Sequence, residues 1–302
     1  MMILTLRANA KINLTLDVLY KRADGFHQVE MIMQAIELAD ILKFEKKSSG
    51  TVSIASNVAH LPCDHRNLAY QAAMLIKDTC QIKNGVHIYI EKNIPMSAGL
   101  AGGSADAAGV LLGLNRLWKL RLSLKELEDL GARLGSDVPF CLRGGTALAT
   151  GRGEILESLT SLPPCYVVLA KPRISVSTAW VYGRYRDNGL LLHPDTEGTK
   201  LALDQGDLPG VANRLGNVLE SVTMSEYPLI KKLKESMIEY GAIASLMSGS
   251  GPTVFGLVLD KDKAEYIAGK LRSQSDAEII VTKTIVKNGG EYGTAIVADQ
   301  TR

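Results

Sequence analysis

The most informative stretch of this chain is rich in glycine: Pro95-Met96-Ser97-Ala98-Gly99-Leu100-Ala101-Gly102-Gly103-Ser104-Ala105-Asp106-Ala107-Ala108. Before it, apolar and polar residues alternate over 86–90, which predicts a strand. After it, apolar residues recur at helical spacing from Ala107 to Trp118, which predicts a helix. The local order is therefore strand, glycine loop, helix.

The three glycines of this loop suit it to hold an anion. Gly99, Gly102 and Gly103 can adopt positive φ and leave no side chain between a ligand and the backbone. The first turn of the following helix adds unpaired N–H groups and the positive end of the helix dipole. The pattern predicts a phosphate site; the alternative is a plain glycine-rich connection with Ser104 as an ordinary N-cap.

Two common phosphate-binding designs do not fit the loop. A P-loop requires Gly-Lys followed by Ser or Thr, but the Gly-Lys pair at 269–270 is followed by Leu271. The dinucleotide fingerprint requires Gly-x-Gly-x-x-Gly, which residues 99–103 do not supply.

The stretch does resemble the central motif of the GHMP kinases, Pro-x-x-x-Gly-Leu-Gly-Gly-Ser-Ser-Ala, with Ala101 where many members have glycine. The resemblance implies that the loop wraps the phosphates of ATP and that Ser104 also contacts Mg²⁺. The implied ATP-binding residues of the loop are Pro95, Met96, Ser97, Ala98, Gly99, Leu100, Ala101, Gly102, Gly103, Ser104 and Ala105.

Composition narrows the class of protein. The 302 residues are 46% hydrophobic, enough for one large or two ordinary domains. With Lys+Arg 34 against Asp+Glu 32, the net charge is +2, so we expect a small-molecule substrate and no nucleic-acid partner.

Cysteine usage and apolar windows indicate where the protein works. The four cysteines lack disulfide-like or zinc-like spacing, which predicts free thiols. The most apolar window, 94–114, contains Pro95 and Asp106, and the first residues do not read as a signal peptide. We expect a cytoplasmic protein without a membrane partner, as a monomer or weak homodimer.

An alternating segment at 10–18 predicts a strand with one polar face. Solvent is the ordinary explanation of such a face. However, Asn9, Lys11 and Asn13 share it, and asparagine is a poor strand former, so a site is the alternative and Asn13 is a candidate substrate contact.

The next segment, Lys21-Arg22-Ala23-Asp24-Gly25-Phe26-His27, contains the hairpin signal Asp24-Gly25. Together with Ala-Lys-Ile-Asn-Leu at 10–14, it resembles the amino-terminal signature of the GHMP kinases that act on a cytidylyl substrate. The resemblance implies that Lys11 is catalytic and that Phe26 and His27 hold the cytosine. Phe26 replaces the usual Tyr and keeps its stacking face. The alternative for His27 is a turn histidine satisfied by the backbone.

Further segments match the same family. Gly135-Ser136-Asp137-Val138-Pro139-Phe140 follows a helix that begins at the capping box Ser123–Glu126 and ends near Gly135. The resemblance makes Asp137 the catalytic aspartate, whereas a helix cap is the ordinary explanation. It also implies that Asn67 and Lys92 approach the adenosine of ATP.

In the second half, the segment 176–182 suggests that Thr178 faces the substrate, although a helix-start threonine explains it equally well. Residues 244–255 match the closing motif of the family, whose glycine turn packs beside the phosphate loop. In isolation, the same residues read as a tight turn between strands.

The resemblance implies an α+β, two-domain GHMP kinase fold. We expect a β-α ATP-binding domain at 1–162 and a ferredoxin-like domain at 163–302, with the boundary at Ser161-Leu162-Pro163-Pro164. Residues 190–207 are expected to be irregular surface and 287–302 a loosely held tail.

The implied reaction is the ATP-dependent, magnesium-assisted phosphorylation of the 2-hydroxyl of 4-diphosphocytidyl-2-C-methyl-D-erythritol, in non-mevalonate isoprenoid biosynthesis. One alternative is a GHMP kinase for a small alcohol such as homoserine or mevalonate; Phe26-His27 argues against it, because those acceptors have no base to stack. The other alternative is a non-catalytic nucleotide-binding protein. Such a protein would be expected to have lost Lys11 or Asp137, and both are present.

Overall fold

The computed structural model describes residues 3–187, 189–286 and 296–300. Its strands are β1 (Ile3–Asn13), β2 (Thr15–Lys21), β3 (His27–Lys47), β4 (Val52–Ser56), β5 (Gly85–Glu91), β6 (Thr146–Thr150), β7 (Ile155–Ser158), β8 (Tyr166–Lys171), β9 (Gly216–Asn217), β10 (Ala244–Met247), β11 (Val254–Val258), β12 (Glu278–Lys283) and β13 (Ile296–Gln300).

The helices are α1 (Leu68–Thr79), α2 (Gly102–Leu117), α3 (Leu124–Leu134), α4 (Val138–Arg143), α5 (Thr178–Arg184), α6 (Thr196–Asp204), α7 (Leu208–Ala212), α8 (Glu220–Glu226), α9 (Pro228–Glu239) and α10 (Lys261–Gln274). No helix of the described ranges is both long and apolar enough to span a bilayer. The predicted α+β class is confirmed.

A nine-stranded mixed sheet forms the larger layer and is organised by one long strand. β3 pairs in turn with β2, β6, β1 and β5 along its length, so it changes neighbours as it crosses the sheet. Its apolar residues do not alternate throughout, so the sequence pattern alone does not show it as a single strand. Pairing on both sides holds it as one strand.

The predicted strand at 10–18 is divided at Leu14. The Leu14 N–H donates to the Ile32 carbonyl at 2.8 Å, while the hydroxyl of Thr15 accepts from the Ile32 N–H at 2.9 Å. Because a side chain replaces a backbone acceptor at this point, β1 ends and β2 begins.

Helix α2 carries the glycine loop onto the sheet and is buried along most of its length. It approaches closely at two glycines: a Cβ on Gly109 would lie 2.4 Å from Leu42 Cδ1, and one on Gly113 would lie 2.5 Å from Phe44 Cζ. Both distances are shorter than a Cβ atom can normally adopt, so a side chain at either position would displace its neighbour. The two glycines therefore let the helix settle onto β3 and fix the height of the loop above the sheet.

A second, antiparallel sheet has the order β10-β11-β8-β12 and is packed against α9 and α10. Its core includes Val168, Ile230, Met237 and Ile267, all fully buried. Two strands from the second half of the chain, β9 and β13, instead join the larger sheet, where they pair with β2 and β1. A domain boundary at residue 162 stays a prediction.

Two predicted irregular segments contain regular structure. Helix α6 begins at Asp195, whose carboxylate accepts from the Gly198 N–H, and it buries Thr199 and Leu203. Threonines at inward positions hid its pattern, so the expectation of an irregular 190–207 is wrong for this helix. In the expected tail, 296–300 form β13; the other residues of 287–302 lie outside the described ranges.

Candidate active site

A cleft of about 870 Å³ opens beside the glycine loop. Its lining includes most of the residues predicted to form the site: Lys11, Asn13, Phe26, His27, Asn67, Lys92, Pro95, Met96, Ser97, Ala98, Gly99, Ala101, Gly102, Gly103, Ser104, Asp137 and Thr178. Leu100 and Ala105 are the loop residues not among them, since their side chains are buried in the core at 1% exposure.

The loop backbone places three left-handed residues at alternate positions. The φ angles are 51° at Ser97, 74° at Gly99 and 58° at Ala101. Backbones that alternate in this way can turn successive N–H groups towards one side, where an anion binds. The segment therefore has the shape that the phosphate prediction requires.

Helix α2 begins directly after this turn and has no side-chain cap. Ala101 is the N-cap residue and makes no capping hydrogen bond, while Ser104 is the third residue of the helix. The alternative that Ser104 is the N-cap is thus wrong. The first amides of α2 have no side-chain acceptor and face a cleft, which is the arrangement that binds phosphate at helix N-termini.

The carbonyl of Gly99 joins the loop to the rest of the site. It accepts from Lys11 Nζ at 3.2 Å and from Ser248 Oγ at 2.9 Å. A Cβ on Gly99 would lie 2.2 Å from the Ser248 carbonyl oxygen, so this position requires glycine. Asn217 in turn donates to the carbonyls of Met247 and Gly249, both at 2.8 Å. The turn at 248–251 consequently packs against the phosphate loop.

Lys11 and Asp137 meet on the floor of the cleft. Lys11 Nζ lies 3.7 Å from Asp137 Oδ2 and donates to Asn13 Oδ1 at 2.7 Å. The ladder between β1 and β3 shifts register between Asn9 and Lys11, and such irregularities re-aim side chains beside active sites. Asn9, Lys11 and Asn13 are each 8% exposed or less, so the polar face of this strand is buried and is not a solvent face.

Asp137 stands at the N-cap position of α4 but does not cap it. Its side chain makes no capping hydrogen bond and remains 29% exposed towards the cleft. The ordinary explanation of a helix-capping aspartate is therefore wrong here. The carboxylate is free to face a ligand, with the buried ammonium of Lys11 as its neighbour.

Lys92 lies at the foot of the loop between two carboxylates. Its ammonium contacts Asp40 Oδ2 and lies 2.8 Å from Asp106 Oδ2. Burial alone would lower the pKa of Lys92, but the two acids more than offset it and the pKa is raised. Burial raises the pKa of Asp106 well above its usual range, although Lys92 opposes the rise. No sequence pattern predicts this cluster, of which Lys92 alone was a candidate site residue.

Asn67 and Thr178 both line the cleft, and both have structural partners. Asn67 caps α1: its Oδ1 accepts from the Ala69 N–H at 2.9 Å and its Nδ2 donates to the Pro62 carbonyl at 2.7 Å. Thr178 is the first residue of α5, and its hydroxyl lies 2.9 Å from that of Ser250.

A second group of lining residues, the aromatic end of the cleft, comes from outside the glycine loop. Phe26 is 52% exposed, and the guanidinium of Arg152 lies 5.0 Å from its ring centroid. The rings of His27 and Tyr182 are 5.3 Å apart at an interplanar angle of 37°. Flat faces of this kind suit a planar base.

The electrostatics of this end keep its histidine neutral. Burial and the charges of Lys21 and Arg186 lower the pKa of His27. A neutral imidazole offers one donor and one acceptor, as a base edge requires. Burial also raises the pKa of Tyr182, so its hydroxyl stays protonated.

Two residues of this end were not predicted as site residues. Tyr182 lies four positions after Thr178, so the two share one face of α5, and that spacing was the available signal. Nothing in the sequence pointed to Arg152, which reaches Phe26 only because β3 pairs with β6 in the sheet.

The domain families that match the chain cover half of it. The GHMP kinases N terminal domain matches residues 67–145, and the GHMP kinases C terminal domain matches residues 200–277. The first of these ranges contains the glycine loop and Asp137. The second contains the turn at 248–251.

Three relatives are similar over nearly their whole length. The 4-diphosphocytidyl-2-C-methyl-D-erythritol kinase of Enterococcus faecalis (strain ATCC 700802 / V583) is 49% identical, over 92% of this chain and 98% of that relative. That of Bacillus subtilis (strain 168) is 53% identical, over 89% of this chain and 93% of that relative.

The third is a crystal structure of 4-(cytidine 5'-diphospho)-2C-methyl-D-erythritol kinase, which superimposes with a TM-score of 0.78 at 36% identity. The match covers 93% of this chain and 99% of that one. With two GHMP domains and such relatives along nearly its full length, the chain belongs to the GHMP kinases and, within them, to the 4-diphosphocytidyl-2-C-methyl-D-erythritol kinase family.

Proposed function

We propose that the protein transfers the γ-phosphoryl group of ATP to the 2-hydroxyl of 4-diphosphocytidyl-2-C-methyl-D-erythritol, a step of non-mevalonate isoprenoid biosynthesis. One observation carries the proposal: Lys11 Nζ and Asp137 Oδ2 lie 3.7 Å apart in a cleft whose lining includes both the glycine loop and a group of aromatic rings. The names of relatives 49% and 53% identical support the same reaction.

Asp137 is the base in this proposal. The 2-hydroxyl is a tertiary alcohol and a weak nucleophile, so a carboxylate that accepts its proton as it attacks phosphorus assists the reaction. Lys11 Nζ is held by two hydrogen bonds: it donates to Asn13 Oδ1 at 2.7 Å and to the Gly99 carbonyl at 3.2 Å. From there it orients Asp137 and offsets the negative charge that develops around the transferred phosphoryl group.

The glycine loop and the start of α2 hold the triphosphate. Little covalent chemistry is left for the protein in phosphoryl transfer, so catalysis rests on position and charge. The apolar rim formed by Leu61, Leu68 and Pro95 receives the adenosine.

A magnesium ion fits this chain as a partner of ATP. Among the described residues, no group of three or more His, Cys, Asp or Glu side chains is arranged to hold a metal ion alone. Mg²⁺ in kinases takes most of its ligands from phosphates and water and needs one or two protein oxygens. Ser104 is the residue that would supply one of them, and the bound ion would neutralise phosphate charge.

The opposite end holds the cytidylyl group. Phe26 and Tyr182 offer ring faces to the base and neutral His27 offers polar atoms to its edge. Thr178 also lines the cleft, on the same face of α5 as Tyr182. These contacts account for a preference for an acceptor that carries a base.

The test is ADP release by the purified protein with Mg²⁺-ATP, with the cytidylyl substrate, homoserine or mevalonate as acceptor. We expect release with the cytidylyl substrate alone. Asp137→Asn keeps the size of the side chain and loses the base, so turnover should fall about 10²–10⁴-fold.

Two results would contradict the proposal. Equal ADP release with homoserine or mevalonate would show that the protein is a kinase but would contradict the cytidylyl substrate as its specific acceptor. Wild-type turnover in Asp137→Asn would reject the base.

A further inference from the structure

A buried ionic cluster lies beneath the glycine loop. Lys92 Nζ lies 2.8 Å from Asp106 Oδ2 and also contacts Asp40 Oδ2, and all three side chains are at most 5% exposed. Burial of three ionisable groups costs solvation energy that pairing does not fully return. A role in fixing one conformation would explain why such a cluster sits here.

The three residues come from segments on both sides of the loop. Lys92 precedes the loop, Asp106 lies in α2 after it, and Asp40 belongs to β3 of the sheet. Asp40 Oδ1 also accepts the N–H groups of Asn93 at 2.6 Å and Ile94 at 2.9 Å. The cluster thus ties the chain that enters the loop to the helix that leaves it, and both to the sheet.

The loop between these ends needs such a constraint. Ser97 and Ala101 adopt left-handed φ angles of 51° and 58°, which residues other than glycine disfavour. Conformations of this kind persist only where the surrounding structure fixes them.

The contact between Lys92 and Asp106 is the link that closes the loop. A Cβ on Gly102 would lie 3.4 Å from Lys92 Nζ, so the ammonium rests against the first residue of α2. The other oxygen of Asp106, Oδ1, is buried and makes no hydrogen bond within the described ranges. The Oδ2 contact with Lys92 therefore carries the link.

We propose that Lys92 is a positioning residue that staples the two ends of the glycine loop together through Asp106 and Asp40. It acts on ATP through the conformation of residues 95–104, in place of the adenosine contact that the family resemblance implies. This inference rests on the proposed function, because ATP is taken as the ligand of the loop.

Asp106→Ala is the variant that tests the staple. It removes the link to α2 and leaves Lys92 paired with Asp40, so the buried ammonium keeps a carboxylate partner. We expect the dissociation constant of ADP and the KM of ATP to rise about tenfold to a hundredfold, the cost of a loop displaced by about an ångström. The KM of the cytidylyl substrate should not change.

Two matched variants separate position from general stability. Asp106→Asn keeps an oxygen that accepts from Lys92, so it should bind ADP as the wild type does. Asn115→Ala removes hydrogen bonds to the N–H and carbonyl of Leu122, both 2.9 Å, from the same helix far from the loop. It should lower the thermal midpoint and leave ADP binding unchanged.

Amide hydrogen exchange of residues 95–104 in the nucleotide-free protein gives a readout independent of ATP. Exchange should be faster in Asp106→Ala and unchanged in the other two variants. If Asp106→Ala does not fold, Asp106→Ser, whose side chain is one atom shorter, replaces it.

Wild-type ADP affinity and loop exchange in the alanine variant would overturn the staple. So would an equal loss of affinity in Asn115→Ala. A wild type that binds ADP without phosphorylating the cytidylyl substrate would instead reject the proposed function, while the binding and exchange data would still decide the staple.

Discussion

The glycine-loop end and the aromatic end of the cleft differ in the groups that form them. The phosphate end consists of backbone: left-handed turns at 97–101 and the uncapped amides of α2, all within one stretch of sequence. The acceptor end consists of side chains, with Phe26, His27, Arg152 and Tyr182 brought together from three distant segments.

This difference separates two kinds of constraint. A backbone site tolerates little change of conformation, and it tolerates a change of side chain only where a Cβ has room, as Ala101 in place of the family's glycine illustrates and Gly99 does not. A side-chain site tolerates the reverse. Substitutions should therefore act on one substrate at a time, and each prediction below tests that separation.

The largest effect is expected for Gly99→Ala at the phosphate end. The left-handed φ of 74° costs a non-glycine residue about 1–2 kcal/mol, and the new Cβ would lie 2.2 Å from the Ser248 carbonyl oxygen. Since ~1.4 kcal/mol is a factor of ten, the KM of ATP should rise at least about tenfold. Steady-state kinetics with each substrate varied would measure this.

Gly269→Ala is the control for Gly99→Ala, because nothing lies within 4 Å of its Cβ position in α10. It should leave both KM values unchanged. An unchanged KM of ATP in Gly99→Ala would show that the loop does not depend on its backbone conformation.

A smaller effect is expected for Phe26→Ala at the acceptor end. Stacking of a base on an aromatic ring is worth about 1–3 kcal/mol, so the KM of the cytidylyl substrate should rise about 5- to 150-fold. Phe26 is 52% exposed, so the fold and the KM of ATP should not change. Phe26→Tyr keeps the ring and should behave as the wild type; a loss there as large as in Phe26→Ala would argue against stacking.

The smallest effect is expected at His193, which joins β2 to the chain after α5. Its Nδ1 lies 2.8 Å from Asp17 and its Nε2 lies 3.3 Å from Asp187. The hydrogen bond to Asp17, together with the charges of both acids, raises the pKa of His193 above 6.5. The protonated form thus favours the folded state, and its contribution is complete below pH 6.5 and lost as pH rises through the raised pKa.

Thermal melts of the wild type and His193→Gln at pH 5.5 and 8.5 would measure this contribution. The wild type should be the more stable at pH 5.5, by at most about 2 °C, because the side chain is 40% exposed and the pair is screened. An advantage that grew towards pH 8.5 would contradict the assigned sign.

The same division explains how much could be predicted from the sequence. Strand, glycine loop and helix followed from a contiguous pattern, as did the capping box at Ser123, which the structure confirms together with the end of α3 before Gly135. Each of these features depends on neighbours a few residues away. Local sequence therefore suffices to predict them.

Contacts between distant segments could not be predicted in this way. Lys92 meets Asp40 across the sheet, and Arg152 reaches Phe26 through the pairing of β3 with β6. In both contacts the partners are too far apart in sequence for a local pattern to reveal them. Helix α6 was missed for a different reason, since threonines occupy two of its buried positions.

The short strand β9 makes the folding of this chain depend on the order in which the chain is synthesised. Gly216 and Asn217 are the parallel partners of Thr15 and Leu16, and Asn217 also holds the turn beside the phosphate loop. During synthesis, β2 can therefore pair with β9 only after most of the chain has been made. Contacts between residues so far apart in sequence also form slowly. A nascent chain that stalls before residue 216 would carry the whole glycine loop and Asp137, yet lack both β9 and the turn at 248–251 that packs against the loop.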